Sequence, residues 1–158
     1  MKKPSHSAKR QMRSAARLYA VQALFQMEAS DQSADAVREE FETYRFGAEL
    51  DGDTFADGDV DLFRALTHEA VNHQAKIDQL TDKALVDRWP LGRIDPTLRA
   101  LFRVAGAEIM TQETPIKVAI NEFVDVAKAF FPEGKEAKLV NAVLDHMARA
   151  ARPEAFTN

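Results

Sequence analysis

Apolar residues recur along this chain at steps of three and four, which places them on single faces of α-helices. No stretch alternates with period two for long enough to form a strand. Residues 8–29 predict a long helix with Leu18, Val21, Leu24 and Phe25 toward the core and helix-favouring alanines between them. Asp35 to Tyr44 predicts a shorter charged helix with Val37, Phe41 and Tyr44 on one side. The glycine- and aspartate-rich run 46–59 predicts a loop. After it, Asp59 or Asp61 is placed to cap a helix running through Leu62, Phe63, Leu66 and Ala70 and on to Ile77. The run LTDKALVDRW predicts more helix, closed by Pro90 and Gly92. Asp95-Pro96 sets a capping residue before proline at the first helical position, ahead of the seam Leu98, Leu101, Phe102, Ala105 and Ile109. Thr114-Pro115 repeats that start signal and leads into Ile116, Ala119, Ile120, Phe123, Val124, Ala127, Phe130 and Phe131. Pro132 and Gly134 stop that helix, and a last one carries Leu139, Val140, Val143, Leu144 and Met147. The predicted fold class is an all-α bundle.

Composition adds mainly exclusions. At 158 residues the chain is long enough for one domain with a real core, and its 46% hydrophobic and 29% charged content is that of a globular protein. It has no cysteine, which removes disulfides, thiolate metal sites and cysteine nucleophiles and fits a reducing cytoplasm. No apolar run reaches the roughly 20 residues that span a bilayer, and the basic start is not followed by a signal-peptide core.

Charge changes the picture more. The net charge is −4, yet residues 1–17 hold Lys2, Lys3, Lys9, Arg10, Arg13 and Arg17 and no acid. Residues 28–61 hold 12 acidic residues against Arg38 and Arg45, and residues 62–158 balance. An acidic chain therefore begins with a local cationic site. On a helical wheel Arg10, Arg13 and Arg17 fall within roughly 60° and continue the line of Val21 and Leu24. Arginines are not buried unpaired, so the helix is expected to outrun its core and leave these turns exposed or against a partner. Cations at a helix N-terminus also oppose the helix dipole. The residues alone leave three partners open for this stripe: nucleic acid, plain solvent and an acidic protein. Tyr19, Gln22 and Phe25 lie close enough along the helix to meet unstacked bases, although Phe25 is expected in the core.

Other chemistry is thinly represented. His68 and His73 stand roughly 140° apart on a helix, where zincin-type ligation needs an i,i+4 pair, so no metal site is predicted. DGDTFADGDVD has calcium-loop composition, but Phe55, Ala56 and Leu62 occupy positions that need an oxygen ligand, the turn glycine and the bidentate glutamate. There is no glycine-rich phosphate loop and no G-x-S-x-G, so neither an enzyme nor a cofactor is expected. Asn121 and Asn141 interrupt strong helices and are expected to serve interhelical or side-chain-to-backbone hydrogen bonds.

ARLYAVQALFQME, LGRIDPTLRALFRVAGAEI, PIKVAINEFVDVAKAF and KLVNAVLDHMAR together resemble the NusB family of bacterial transcription antitermination factors, over about residues 8 to 150. The resemblance implies two three-helix bundles packed as one unit, with an N-terminal subdomain over about 8–75, a C-terminal one over about 76–150 and flexible ends at 1–7 and 151–158. It implies binding of single-stranded boxA-type RNA jointly with the ribosomal protein NusE, within a transcription elongation complex that reads ribosomal RNA operons. Arg13 and Arg17 take the place of the family's RNA-contacting arginines, with Lys9 and Arg10 as further basic residues upstream. Lys135 and Lys138 precede V-N-x-V-L-D, a segment that also contributes to the family's RNA surface. The NusE side is expected around Asp95, Arg99 and Arg103. A non-enzymatic helical adaptor or homodimer without an RNA role is the alternative. A ribosomal RNA methyltransferase, which would need a cysteine nucleophile and a glycine-rich cofactor loop, is disfavoured.

Overall fold

Local capping chemistry starts most of the helices. In the computed structural model, which describes residues 5–47, 49–50, 53–54, 57–85 and 94–157, the first helix α1 spans His6–Ser30. The Ser5 hydroxyl accepts the Ala8 N–H at 3.0 Å, and the helix ends where Asp31 takes a left-handed φ of 57°. Ser33 caps α2 (Ala34–Tyr44) in the same way through the Ala36 N–H. Asp59 rather than Asp61 caps α3 (Val60–Asn72), accepting the Leu62 N–H at 2.9 Å. Asp95 accepts the Thr97 N–H at the start of α5 (Pro96–Thr111), with Pro96 at the first position as the sequence predicts.

Three expectations are corrected. The helix that begins at Asp59 does not reach Ile77: it breaks at His73, and a separate helix, α4 (Gln74–Ala84), follows. The break lets Leu66 and Ala70 pack toward α1 and α5 while Ile77 and Leu80 pack against α5 and α7 (Glu136–Ala151). Thr114 does not cap α6 (Ile116–Phe130); no side chain does, because the Thr114 hydroxyl is turned inward to Glu108. Within the predicted loop, Glu49–Leu50 (β1) and Asp53–Thr54 (β2) form a minimal antiparallel ladder. Residues 48, 51, 52, 55 and 56 of that loop, and the stop signal at Pro90 and Gly92, lie outside the described residues.

The helices enclose one contiguous core centred on α5, which packs against α1, α3, α4, α6 and α7. Phe102, Leu101, Val104 and Ala105 on α5 are wholly buried. Toward the N-terminal side, Tyr19, Phe41, Phe46 and Phe63 form an aromatic cluster with ring centroids 4.9 to 6.4 Å apart, tying α1, α2 and α3 together. Past α7, a 3-10 turn at Pro153–Phe156 folds back so that the Arg149 guanidinium lies 4.4 Å from the Phe156 ring. Among the described residues no helix is long and apolar enough to cross a membrane.

Candidate nucleic-acid interface

The first turns of α1 project past the core and form one wall of a groove of about 810 Å³. Lys9, Arg10 and Arg13 line this wall and are exposed, and among the described residues none is in an ion pair. The opposite wall comes from the start of α3, with Asp59, Asp61 and Leu62, and from the α5–α6 corner, with Gln112, Pro115, Val118 and Glu122. The Asp59 N–H donates to the Met12 carbonyl at 3.0 Å, which fixes the two walls to each other.

Arg17 corrects the expectation of a fully exposed stripe. It is only 2% exposed and closes the inner end of the groove. Its Nε and Nη2 donate to the two carboxylate oxygens of Glu108, each at 2.8 Å, in a fork-to-fork pair. The Thr114 hydroxyl donates to Glu108 Oε2 at 2.7 Å. Glu122 completes the cluster: its Oε1 lies 3.5 Å from Arg17 Nη1, and its Oε2 accepts the Ser14 hydroxyl at 2.9 Å. Burial alone pulls the Arg17 guanidinium down, but the hydrogen bond and charge of Glu108, aided by Glu122 and Asp59, hold it above its ordinary value. The chain thus buries an arginine by pairing it.

The remaining site residues fall in other places. Gln22 lies two-thirds of the way along α1, beside a second crevice of about 380 Å³ shared with Phe25, Thr97 and Phe130. Its Oε1 is buried without a hydrogen-bond partner among the described residues. Phe25, expected in the core, is 40% exposed here, whereas Tyr19 is buried in the aromatic cluster. Asp95 is exposed at the start of α5. On the same helix, Arg99 pairs with Glu28 of α1 at 2.7 Å, and Arg103 grips Asp78 of α4 at 2.9 and 3.0 Å. Lys135 and Lys138 are exposed at the start of α7, a short turn after Phe130, and neither lines the basic groove. Asn121 and Asn141 are both exposed, and among the described residues neither side chain is hydrogen-bonded, contrary to their expected packing role.

Sequence reasoning missed the carboxylate wall of the groove and the acid beneath it. Glu108 did leave a signal, as a lone acid inside the apolar run VAGAEIM, because a buried carboxylate demands a partner.

Comparison with known proteins agrees with this architecture. The NusB family model matches residues 14–149. Among curated relatives, the transcription antitermination protein NusB of Maricaulis maris is 46% identical over 154 residues, covering 97% of this chain and 95% of its own. That of Agrobacterium fabrum is also 46% identical, covering 90% and 87%. The solved structure of T. maritima NusB superposes with a TM-score of 0.70 at 28% identity, covering 99% of both chains. A structure of antitermination factors NusB and NusE in complex with double-stranded RNA shares the fold, with a TM-score of 0.68 at 22% identity over 89% of this chain and 98% of that one. The chain belongs to the NusB family.

Proposed function

We propose that this protein is a transcription antitermination factor that acts by binding, not by catalysis. In this reading it holds single-stranded boxA-type RNA jointly with the ribosomal protein NusE, in the cytoplasm, as part of an elongation complex that transcribes ribosomal RNA operons processively. One observation carries the reading: Lys9, Arg10 and Arg13 form a cationic wall with no ion pair among the described residues, in a chain that is acidic overall and whose relatives are named transcription antitermination proteins. Phosphates are the natural ligand of such a wall, because each neutralised phosphate releases condensed counterions. Arg17 contributes by holding α1 in place from beneath; Lys135 and Lys138, at the start of α7, offer phosphate contacts separate from the groove. The NusE side runs from Asp95, Arg99 and Arg103 to the crevice that Thr97 and Phe25 line, and Gln22 beside it stays a contact for the RNA. An exposed phenylalanine beside a small apolar crevice is the kind of anchor that protein partners use.

The test is RNA binding by Arg10→Glu with Arg13→Glu, measured at two salt concentrations. Arg17 is left intact because its loss would disturb the fold. Removing two phosphate contacts to a single strand lowers the slope of log affinity against log salt by about 1.4. Helical content stays as in the parent. An unchanged affinity and slope would remove the RNA assignment.

A further inference from the structure

We infer that Asp61 is a base-reading residue, and that the groove seats a single guanine whose Watson–Crick edge meets the Asp61 carboxylate. The inference rests on the RNA-binding reading above and adds a specificity to it.

Three carboxylates face the basic wall, but two are already committed. Asp59 accepts the Leu62 N–H as the cap of α3, and Glu122 is taken up by Ser14 and Arg17. Asp61 sits in the first turn of α3, is exposed, and makes no hydrogen bond or ion pair among the described residues. It adds to the field felt by Arg64, whose guanidinium is spent on Glu42. The groove therefore offers one uncommitted pair of acceptor oxygens opposite a row of uncommitted cations. Apolar side chains share the lining with them: Met12, Leu62, Ala65, Pro115 and Val118, the last 46% exposed.

That arrangement matches one nucleotide of a single strand. Its volume is within the range of clefts that hold small ligands. Phosphates lie along Arg10 and Arg13, the base covers the apolar floor, and its outer edge reaches the carboxylate. A second strand would set its own phosphates against Asp61, so the acidic wall suits a single strand. Among the four bases, guanine alone presents two adjacent donors, N1–H and N2–H, to the two oxygens of a carboxylate. Adenine and cytosine each place a ring acceptor beside the amino group, and uracil flanks its one N–H with two carbonyl oxygens.

The experiment uses the full chain with oligouridine heptamers in which one guanosine is moved through each position in turn. At one position guanosine strengthens binding by about tenfold over the all-uridine heptamer, as a good bidentate base contact does. Asp61→Ala brings that ratio to within about twofold, since the loss is of a base contact and not of a phosphate contact. Asp61→Asn keeps the size, replaces one acceptor with a donor, and loses the preference as well. Melting curves confirm that both variants are folded, as an exposed position allows. A guanosine preference that survives in Asp61→Ala, or none at any position in the parent, overturns the inference while leaving RNA binding intact. Arg10→Glu with Arg13→Glu is the separate control: if it leaves the all-uridine affinity unchanged, the RNA reading falls, and this inference with it.

Discussion

Glu108 decides what Arg17 is for. A carboxylate with no solvent exposure is costly unless its charge is balanced and its lone pairs are filled, and here Arg17 and Thr114 do both. Arg17→Ala removes the countercharge and leaves Glu108 buried alone, which costs about 3–5 kcal/mol of unfolding free energy. Arg17→Met combined with Glu108→Leu replaces the pair by apolar groups of similar volume and recovers about 2 kcal/mol or more of that loss. Denaturant unfolding of Arg17→Ala and of the double variant measures this directly; a double variant as unstable as the single one would show that the pair is not the unit of stability. This is also where the sequence is least legible. The wheel places Arg17 on one line with Arg10 and Arg13, and that line is correct. Its partner lies 91 residues away, so no local pattern shows that the stripe passes from solvent to core between Arg13 and Arg17.

At the scale of elements, the starts at Asp59 and Asp95 were readable, while the start of α4 and the uncapped start of α6 were not. Ser5, Ser33, Asp59 and Asp95 each satisfy a free N–H of the first turn, and that chemistry is written within three residues. The break at His73 carries no proline or glycine; it follows from the need of Ile77 to reach α5, which is tertiary information. Phe25 was misplaced for a related reason, because the apolar stripe of α1 is broader than the strip its neighbours cover. The contact of α4 with α5 depends on Gly106, where a Cβ would lie 2.5 Å from Ile77 Cγ2 and 3.2 Å from the Met147 sulfur. Gly106→Ala gains up to about 1 kcal/mol in helix propensity but must displace a wholly buried isoleucine. Gly106→Val brings more bulk and less propensity, and the overpacking costs about 1–3 kcal/mol. Thermal unfolding then orders the proteins as parent, alanine, valine, in falling stability. An alanine variant more stable than the parent would mean that the helices part at little cost.

For the whole molecule, the sequence located the charge but not the shape that gives the charge a use. The block of cations at the N-terminus is plain in composition, whereas the groove exists because α3 and the α5–α6 corner arrive opposite it. The two proposed binding surfaces lie on one helix: Arg13 is on the groove wall and Phe25 in the second crevice, about 18 Å further along α1 at 1.5 Å per residue. Since α1 is continuous from His6 to Ser30 and packed on α5 between the two, it holds both surfaces in fixed relation. An RNA longer than the groove can therefore follow α1 toward a protein seated on the crevice and touch both. Joint contact of this kind appears as a coupling free energy, and it must be reciprocal. NusE is expected to tighten boxA-type RNA binding by roughly 5- to 150-fold, and the RNA to tighten NusE binding by the same factor. Phe25→Ala lowers NusE affinity and leaves RNA binding in the absence of NusE unchanged, because Phe25 is not on the groove. Titrations of each ligand with and without the other decide the matter: equal factors support the shared surface, and independent binding would show that the two surfaces on α1 do not act together.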